Sequence, residues 1–459
     1  MVRNTALHAA LVAALSIVPL AHAAPTEMKG DAVAAAPSAK ALGGADFAIA
    51  ARGPTLVSLS APSVGEARAL KSRRQDQVKR GQPFEIGFAR NVPDPRIALA
   101  RLGWQKLADG RYATRFEIGS ADAVAVRAAF TLKAAGRGAD PAGVTFRFGG
   151  DDGRVFEMNG REFAGKQGGW SPVTMGARSS VEVVLAKGLR PQQFALAMPQ
   201  ISHLDMSPIA SEAAIASVAK IGESGSCEND IVCRVSPTTG FLNAEKAVAR
   251  MLFTKGGASY LCTGTLLNNS NATKRHLFWS AAHCISSQTV ANTLQTYWFY
   301  KATTCGGTTQ APGAVTLTGG AYLRFSNTTR DTLLLELKTA PPAGAYYAGW
   351  TSTAIGATGT AIEGIHHPAG DAKMYSLGSV TGLSTTIDRK SPLYQVVWSS
   401  GVTEGGSSGS ALFKIAADGT YQLTGGLYGG YSYCSAPRDP DYYSRFADVY
   451  SSISSYFGP

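Results

Sequence analysis

Short apolar runs separated by turn residues recur through the first half of the chain, beginning at about residue 84. These runs are Phe84–Phe88, Tyr112–Ile118, Val124–Leu132, Val144–Phe148 and Val181–Leu185. Turn signals such as Asp109-Gly110 and Asn159-Gly160 lie between them. Short strands at this spacing, without clear helical segments, are typical of a β-sandwich. We therefore predict a β-rich, sandwich-like domain from about residue 62 to residue 205.

The second half of the chain shows the same kind of strand pattern and ends differently. Its apolar runs are Ala247–Thr254, Tyr260–Leu267, Leu277–Ala281, Thr332–Leu337 and Gln395–Ser399. Near the end, apolar residues instead recur at three- and four-residue spacing, namely Phe446, Val449, Tyr450, Ile453 and Phe457. That spacing predicts an apolar stripe on a C-terminal helix. Many strands followed by one terminal helix suit a double β-barrel.

The first residues have the pattern of a secretory signal peptide. Arg3 gives a positive start, an apolar run extends from Ala6 to Leu20, and Ala21-His22-Ala23 supplies a cleavage site of small residues. The run is too short to span a bilayer, and no later run is comparable. We therefore expect a signal peptide at residues 1–23 and a secreted protein with no membrane partner.

Two further stretches lack strand or helix periodicity. The stretch from Ala24 to about Pro62 is rich in Ala, Gly, Ser and Pro and predicts a flexible leader. The stretch from about Ser207 to Gly225 is again small and polar, and Ser211–Lys220 is interpreted as a short helix or an exposed linker.

The six cysteines all lie in the second half of the chain. They are Cys227, Cys233, Cys262, Cys284, Cys305 and Cys434. An even number of cysteines in an exported chain predicts three disulfides formed in an oxidising compartment. Their confinement to one half indicates that the two halves of the chain are stabilised differently.

Net charge is also divided unequally. The chain carries a formal charge of +11, and residues 1–220 hold 27 basic and 18 acidic side chains against 16 and 14 from Ile221 onward. A basic chain suggests nucleic-acid binding, but these charges are scattered and no aromatic-basic motif accompanies them. We therefore expect no nucleic-acid partner.

The segment Gly401–Ala411, GVTEGGSSGSA, carries the first candidate chemistry. Small residues let the backbone turn tightly, so that a serine hydroxyl is exposed and neighbouring N–H groups converge beside it. In this register Ser408 is the candidate nucleophile, and the Gly406 and Ser408 amides form the oxyanion hole. A Gly/Ser-rich run alone is more often a turn or linker, so this interpretation depends on two other segments.

The segment Trp279–Cys284, WSAAHC, places His283 at the end of an apolar strand. Cys262 lies 22 residues before Cys284, on a strand that can pair with the first as a hairpin. A Cys262–Cys284 disulfide would fix the loop that presents the imidazole. A general base needs such a fixed orientation.

Asp331 lies at the mouth of another apolar strand, in RDTLLLEL. A carboxylate there can accept the imidazole N–H and fix the tautomer of His283. Most aspartates before strands are only turn residues. The chain order of His283, Asp331 and Ser408 favours the catalytic interpretation.

In these segments the chain resembles chymotrypsin-fold serine proteases, and within that group it is most similar to bacterial lysyl endopeptidases. The matching text includes CTGTLLNN, SAAHC, DTLLLEL, IHHP and GVTEGGSSGS, and the resemblance covers essentially all of residues 221–459. It implies a mainly β fold with a double six-stranded antiparallel β-barrel and a C-terminal helix. It also implies the disulfides Cys227–Cys434, Cys233–Cys305 and Cys262–Cys284.

The function implied by the resemblance is that of a secreted serine endopeptidase. It would act without a cofactor, as a monomer, on proteins or peptides with lysine, or less often arginine, before the scissile bond. Residues 24–220 would be a propeptide that acts as intramolecular inhibitor and folding aid, and residues 221–459 the catalytic domain.

Maturation is expected near the bond Lys220–Ile221, by the protease itself. Digestive trypsins carry an aspartate just before the nucleophile to receive a new N-terminal ammonium, but this chain has Ser407 there. Cys227 would also restrict the new N-terminus by its bond to Cys434. We therefore expect activation by removal of a covering prodomain.

Specificity for a basic side chain requires a buried carboxylate, because an unpaired ammonium is costly to bury. Trypsins carry that acid six residues before the nucleophile, where this chain has Val402. Glu404 is expected nearer the pocket rim. The resemblance points instead to Asp441, in DYYSRF, although an acid in such a polar run is often simply solvated.

Tyr428 and Gly429 are expected to line the strand that pairs with the substrate backbone. Lysyl endopeptidases flank their lysine pocket with a histidine and a tryptophan. The histidine position reads Tyr428 here, and no equivalent tryptophan occurs between His367 and Trp398. We therefore expect arginine to be excluded less strictly than in the family.

Three other functions compete with this one. The chain could be an inactive protease fold used as a binding module or adhesin, or a serine protease of glutamate or broad specificity. A metalloenzyme using His366 and His367 is disfavoured, because adjacent strand residues point to opposite faces and no HExxH or CxxC pattern accompanies them. We expect no metal site.

Overall fold

The computed structural model describes residues 25–34, 42–76, 81–208 and 224–458. The predicted signal peptide, the stretch Ser211–Lys220 and the expected cleavage site Lys220–Ile221 lie outside the described residues. We call residues 25–208 the amino-terminal region and residues 224–458 the carboxy-terminal region.

The amino-terminal region is built mostly of strands. In chain order its elements are β1 (Glu27–Met28), β2 (Asp31–Ala32), β3 (Thr55–Leu59), α1 (Val64–Asp76), β4 (Phe84–Asn91), β5 (Arg96–Ile97), β6 (Gln105–Lys106), β7 (Tyr112–Ser120), β8 (Ala125–Ala134), β9 (Val144–Gly149), β10 (Val155–Asn159), β11 (Gly169–Trp170), β12 (Thr174–Met175), β13 (Arg178–Leu185) and β14 (Phe194–Leu204).

The carboxy-terminal region is also strand-rich, with three short helices. Its elements are β15 (Asn229–Asp230), α2 (Thr239–Ala247), β16 (Val248–Lys255), β17 (Ala258–Leu267), β18 (Leu277–Ser280), α3 (Gln288–Ala291), β19 (Gln295–Trp298), β20 (Val315–Leu317), β21 (Ala321–Asn327), β22 (Thr332–Leu337), β23 (Tyr346–Tyr347), β24 (Gly349–Thr351), β25 (Ala361–His366), β26 (Met374–Ile387), β27 (Lys390–Ser400), β28 (Ala411–Ile415), β29 (Tyr421–Gly430), β30 (Asp441–Ser444) and α4 (Tyr450–Ile453).

The mainly β fold predicted from the apolar runs is confirmed. Every predicted run coincides with a strand, because alternating or continuous apolar residues bury one or both faces of a sheet. The C-terminal helix is present but short: α4 is followed by a single 3-10 turn. Of the apolar residues predicted for this helix, Phe446, Tyr450 and Phe457 pack against the ring of Trp350, although only Tyr450 lies within α4.

Two predictions about the amino-terminal region are wrong. Helix α1 was not expected, although Ser63 and Glu66 form a capping box in which each backbone amide bonds the other side chain. The stretch from Ala24 to about Pro62 was expected to be flexible. Its described part instead contains β1, β2 and β3, whose partners lie far away in the chain.

Two sheets pack face to face in the amino-terminal region. One has the order β10-β9-β13-β7-β3, and the other includes β8, β14 and β4. The space between them is filled by buried phenylalanines, namely Phe116, Phe130, Phe146, Phe148 and Phe163. This is the arrangement of a β-sandwich.

The second of these sheets continues into the carboxy-terminal region. Strand β4 pairs with β14 on one side and with β17 on the other, so that Phe84 lies opposite Leu261. Beside this junction the buried Arg127 donates hydrogen bonds to Thr254 Oγ1 at 3.1 Å and Thr293 O at 2.6 Å. The two regions are thus joined by main-chain and buried polar contacts.

The carboxy-terminal region has two sets of strands. In one set, antiparallel pairings close a ring of six strands, β25-β26-β27-β30-β29-β28. In the other set, the pairings follow the path β20-β19-β16-β17-β18-β22-β21 without closing within the described residues. The structure therefore has one closed ring and one open set, rather than two rings closed by hydrogen bonds.

Three disulfides lie in the carboxy-terminal region. They join Cys227 to Cys434, Cys233 to Cys305, and Cys262 to Cys284. These are the pairs that the resemblance implied. Among the described residues, no helix is long and apolar enough to cross a membrane.

Candidate active site

His283 and Asp331 are brought together by two paired strands. His283 follows β18, Asp331 directly precedes β22, and Ser280 of β18 pairs with Leu333 of β22. The turn before β22 places Asp331 at φ 51°, in the left-handed region that a residue with a side chain rarely occupies. Such a conformation persists only where the surrounding structure maintains it.

Two hydrogen bonds fix the carboxylate of Asp331 against His283. Its Oδ2 lies 2.7 Å from His283 Nδ1, and its Oδ1 accepts the His283 backbone amide at 2.9 Å. The Asp331 side chain is 1% exposed and that of His283 is 8% exposed. This geometry directs the opposite ring nitrogen, Nε2, away from the carboxylate. It is the arrangement in which a carboxylate orients a general base.

Ser408 lies in the loop between β27 and β28, as the sequence predicted. Gly406 takes φ 96° there, and a Cβ on it would lie 2.8 Å from the carbonyl oxygen of His367. Only glycine fits this turn without strain. Thr263 of β17 anchors the loop, because its amide donates to Ser408 O at 2.8 Å and its hydroxyl to Gly406 O at 2.9 Å.

The amides of this loop divide into bonded and unbonded groups. Those of Ser407, Gly409 and Ser410 donate to carbonyl oxygens. Those of Gly406 and Ser408 donate to no acceptor within the described residues. Two unpaired amides, that of Ser408 itself and that of the residue two positions before it, are available to stabilise a negatively charged oxygen.

Ser408 lies beside the residue that follows His283, since Cys284 Sγ is 3.9 Å from Ser408 O, but Ser408 and His283 share no hydrogen bond in this structure. His283 Nε2 is buried and has no hydrogen-bond partner among the described residues. The ring of Tyr428 packs edge-on against that of His283, with centroids 5.9 Å apart. Catalytic hydrogen bonds are often long before substrate binds. The absence of a bond between His283 and Ser408 therefore does not exclude His283 as a general base.

The disulfide Cys262–Cys284 adjoins His283. The sulfur atoms and a ring nitrogen of His283 lie within 4.8 Å of one another, a spacing that metal ligands also have. The two sulfurs are bonded to each other, so neither is a thiolate able to bind a metal. The disulfide restricts the backbone at Cys284, the residue that directly follows His283.

His366 and His367 are both buried behind the nucleophile loop. His366 uses both ring nitrogens, with Nδ1 2.9 Å from Ser407 Oγ and Nε2 2.9 Å from Ser376 Oγ. Burial lowers the pKa of His366 to about 3, so the ring is neutral at ordinary pH. His367 Nδ1 lies 3.0 Å from the carbonyl oxygen of Asp371. The two rings thus have separate protein partners.

Asp441 lines the same pocket as Ser408. Its carboxylate is 1% exposed and accepts hydrogen bonds from three neutral side chains: Trp398 Nε1 at 2.6 Å, Thr403 Oγ1 at 2.7 Å and Ser432 Oγ at 2.6 Å. Burial raises the pKa of Asp441, and these hydrogen bonds oppose that rise. Within the described residues no lysine or arginine forms an ion pair with it.

Glu404, Tyr428 and Gly429 line this pocket as well. Glu404 is only partly buried, and its carboxylate accepts the amide of Gly225 at 3.0 Å. Burial raises the pKa of Glu404. The sequence analysis expected this acid nearer the rim than the floor of the pocket, and that position stays a prediction.

Two residues of the amino-terminal region enter the same pocket. Gly81 and Gln82 are part of its lining, and the Gly81 amide donates to Tyr428 O at 3.4 Å. The ring of Phe84 packs against Gly405 of the nucleophile loop. The free volume left in the pocket is small, about 30 Å³.

Three contacts at the site were missed by the sequence analysis. They are the anchoring of the loop by Thr263, the hydrogen bond from the Tyr428 hydroxyl to Asp388 Oδ2 at 3.1 Å, and the entry of Gly81 and Gln82 into the pocket. Asp388 lies in the turn between β26 and β27, at φ 49°. All three join residues far apart in sequence, and no local pattern signals them.

Comparisons with known proteins agree on one family. Residues 221–444 match the model of the lysyl endopeptidase C-terminal domain, and residues 58–205 match that of the lysyl endopeptidase N-terminal domain. The chain is 44% identical over 474 aligned residues to a lysyl endopeptidase of Pseudomonas aeruginosa PAO1, with all of both chains covered.

Among solved structures, the chain is similar to the active form of the Rv3671c protease of M. tuberculosis and to the thermostable serine protease AL20 from an extremophilic microorganism. The first is 15% identical, with 48% of this chain and 87% of that chain covered and a TM-score of 0.32. The second is 14% identical, with 46% and 95% covered and a TM-score of 0.32. On the family matches and the full-length relative, the chain belongs to the lysyl endopeptidase family of serine proteases.

Proposed function

We propose that the protein is a secreted endopeptidase that hydrolyses peptide bonds on the carboxyl side of basic residues, with lysine preferred. The observation that carries this proposal is the buried carboxylate of Asp441 in the pocket of Ser408, bonded by neutral donors alone. A buried carboxylate without a cation is unfavourable, and a lysine ammonium would supply the missing partner.

In this proposal His283, Asp331 and Ser408 form the catalytic triad. Ser408 Oγ attacks the scissile carbonyl carbon while His283 Nε2 takes the hydroxyl proton. The same proton passes to the leaving amine as the peptide bond breaks, and water then releases the acyl group by the reverse steps. Asp331 fixes the imidazole and stabilises its charged form. The Gly406 and Ser408 amides stabilise the oxyanion.

The wall of the pocket supports a preference for lysine that is less strict than in the family. Tyr428 stands where the family resemblance places the pocket histidine, and its hydroxyl donates to Asp388 Oδ2 at 3.1 Å. Gly429 provides unhindered backbone for the substrate strand. Because the histidine and tryptophan that flank the family's lysine pocket are not evident in this chain, arginine is expected to be excluded less strictly.

The amino-terminal region acts in this proposal as a propeptide that inhibits the enzyme and assists its folding. Gly81 and Gln82 line the pocket that a substrate side chain needs, and little free space is left in it, which supports inhibition. Strand β4 extends the sheet of the carboxy-terminal region through β17, which supports a role in its folding. Thr263, which anchors the nucleophile loop, lies on that same strand β17.

Specificity is tested by matched peptides with Lys, Arg or Glu before the scissile bond, cleaved by wild-type and Asp441→Asn enzyme. Loss of a buried charge partner costs about 3–5 kcal/mol, so the variant should lose more than a hundredfold in kcat/KM for basic peptides. A peptide with a neutral residue at this position is the control and should change little. Unchanged Lys cleavage would refute the role of Asp441 as the partner of the substrate's ammonium group.

The same substrates give a pH test. Burial raises the pKa of Asp441. As the pH falls, its carboxylate therefore becomes protonated, and loses its charge, at a higher pH than an ordinary aspartate does. The ratio of kcat/KM for Lys and neutral peptides should therefore fall as pH falls through that pKa. The ratio should become independent of pH in Asp441→Asn. A pH-independent ratio in the wild type would contradict the assignment.

Maturation near Lys220–Ile221 is part of the proposal, because a lysine precedes that bond. N-terminal sequencing of the active enzyme should read IGESG, and Ser408→Ala protein should accumulate unprocessed. A mature chain that begins before residue 200 would contradict this site.

A further inference from the structure

The segment Pro25–Ala34, here called the leader segment, lies on the carboxy-terminal region. Its strand β1 pairs antiparallel with β24, and its strand β2 with β23. The Ser352 amide donates to Thr26 O at 2.8 Å, and the Val33 amide to Ala345 O at 3.1 Å. Strand β24 pairs with β29 on its other side, so β1 covers what would otherwise be an open edge.

Side chains add specificity to these main-chain bonds. Met28 packs against the core cluster that contains Trp350. Lys29 Nζ lies 2.7 Å from Asp418 Oδ2, and the Lys29 carbonyl accepts Asn268 Nδ2 at 2.7 Å. At Gly30 a Cβ would lie 2.2 Å from the ring of Tyr346. The surface that binds the leader segment therefore fits an apolar residue, a lysine and a glycine in succession.

The polar contacts of the leader segment are made to the carboxy-terminal region and not to the rest of the amino-terminal region, among the residues that the structure describes. Within those residues, every hydrogen bond and ion pair that leaves the leader segment ends on the carboxy-terminal region. Beside Gly30 is a cavity of about 190 Å³ whose other lining residues, including Tyr346 and Asp418, all belong to that region. No residue of the surface that binds the leader segment lines the pocket of Ser408.

We propose that the carboxy-terminal region carries a second peptide-binding site, the leader groove, formed by the edge Ala345–Ser352 together with Asn268 and Asp418. Its occupant is the chain's own leader segment, bound as an added strand with Met28, Lys29 and Gly30 as specificity residues. The groove remains in the enzyme after the bond near Lys220 is cut. This part of the proposal rests on the maturation step of the proposed function. The cut propeptide is then attached at two separate surfaces, which slows its departure.

The test uses a fluorescent peptide of residues 25–34 and mature enzyme purified from cells that express the full precursor, with Ser408 blocked by a fluorophosphonate. Fluorescence anisotropy should show saturable binding. Gly30→Val in the peptide should weaken binding at least tenfold. Asp418→Ala in the enzyme should weaken it about two- to fivefold, as expected for an exposed ion pair.

Asp439→Ala, which removes another exposed acid of the same region, is the matched control and should leave affinity within about twofold. Each enzyme variant is first shown to cleave a Lys peptide at the wild-type rate, so that misfolding is recognised. Absence of binding to folded mature enzyme, or equal binding of the Gly30→Val and scrambled peptides, would overturn the proposal.

A second arm separates this proposal from the maturation scheme. The Ser408→Ala precursor, with residues 25–34 deleted, needs no processing and should also bind the peptide. If wild-type precursor is never cut near Lys220, the maturation scheme fails, while binding to the truncated precursor still supports the groove. Binding to the truncated precursor but not to mature enzyme would contradict the claim that the groove outlasts cleavage.

Discussion

The two regions of the chain maintain their folds by different means. The carboxy-terminal region contains all three disulfides, whereas the amino-terminal region has no cysteine and relies on a core of packed phenylalanines. A disulfide restricts the unfolded chain even when packing fails, whereas a core contributes only while it is packed. The region proposed to persist in the medium is cross-linked, and the region proposed to be discarded is not.

The largest expected effect concerns chemistry rather than folding. The candidate triad, His283, Asp331 and Ser408, lies wholly in the carboxy-terminal region. Loss of the nucleophile of such a triad costs on the order of 10⁶ in turnover. Ser408→Ala should therefore abolish peptide hydrolysis and labelling by a fluorophosphonate, with both regions still folded by circular dichroism.

Ser407→Ala and Ser410→Ala are the matched controls for that variant, and both should retain labelling. Hydrolysis by Ser408→Ala at near wild-type rates would refute the assignment. Failure of the wild-type enzyme to label would favour an inactive binding module.

The next effect tests the amino-terminal region alone. Phe130 is fully buried and contacts Phe146, Phe148 and Phe163. Phe130→Ala should destabilise the sandwich by about 3–5 kcal/mol, since truncation leaves a cavity between the sheets. Hydrogen exchange on the Ser408→Ala precursor should show lost protection in β7, β9 and β13 and unchanged protection in β25 to β28.

Lys133→Ala, at an exposed position of β8 in the same sandwich, is the control and should change stability by less than about 0.5 kcal/mol. Equal loss of protection in both regions of Phe130→Ala would mean that they unfold as one unit. The contrast between the two regions would then be wrong.

The converse experiment removes a cross-link from the carboxy-terminal region. For the 22-residue separation of Cys262 and Cys284, loop-closure entropy predicts a loss of about 3 kcal/mol in the Cys262→Ala, Cys284→Ala double variant. Protection should fall in β17 and β18 and persist in β7, β9 and β13. Reductant opens all three disulfides of the parent protein, so it should lower protection more widely in the carboxy-terminal region while β7, β9 and β13 stay protected. Unchanged stability would show that packing alone supports this hairpin.

The smallest effect concerns the wall of the pocket. Asp388→Ala removes the acceptor of the Tyr428 hydroxyl at an exposed turn. We expect KM for Lys peptides to rise about two- to fivefold with kcat nearly unchanged, as for one partly exposed hydrogen bond. Tyr428→Phe removes the same bond from the other side, so the double variant should be no worse than either single one. Additive losses would show that Asp388 acts through another contact.

The sequence predicts the parts of the fold and site that depend on local pattern. Apolar runs such as Thr332–Leu337 mark buried strands whatever their partners are. The sequence motifs around His283 and Ser408 are distinctive over only a few residues. Asp441 required the family resemblance, because its own neighbours are polar and look like a solvated turn.

The rest depends on pairing between distant segments. The two-residue strands β1 and β2 are too short and too polar for any periodicity, and their partners lie more than 300 residues away. The pairing of β4 with β17 likewise joins two regions that the sequence suggests as separate domains. A strand's partner is chosen by long-range packing, which no short window of sequence contains.

The central claim is cleavage after basic residues by the carboxy-terminal region, and the most direct measurement is a cleavage map. A denatured protein of known sequence is digested with matured enzyme, and every new terminus is identified by mass spectrometry. The account predicts that nearly all cuts follow lysine, with a minority after arginine, and that the Ser408→Ala preparation gives none. Cuts after glutamate, or cuts without preference for basic residues, would contradict it.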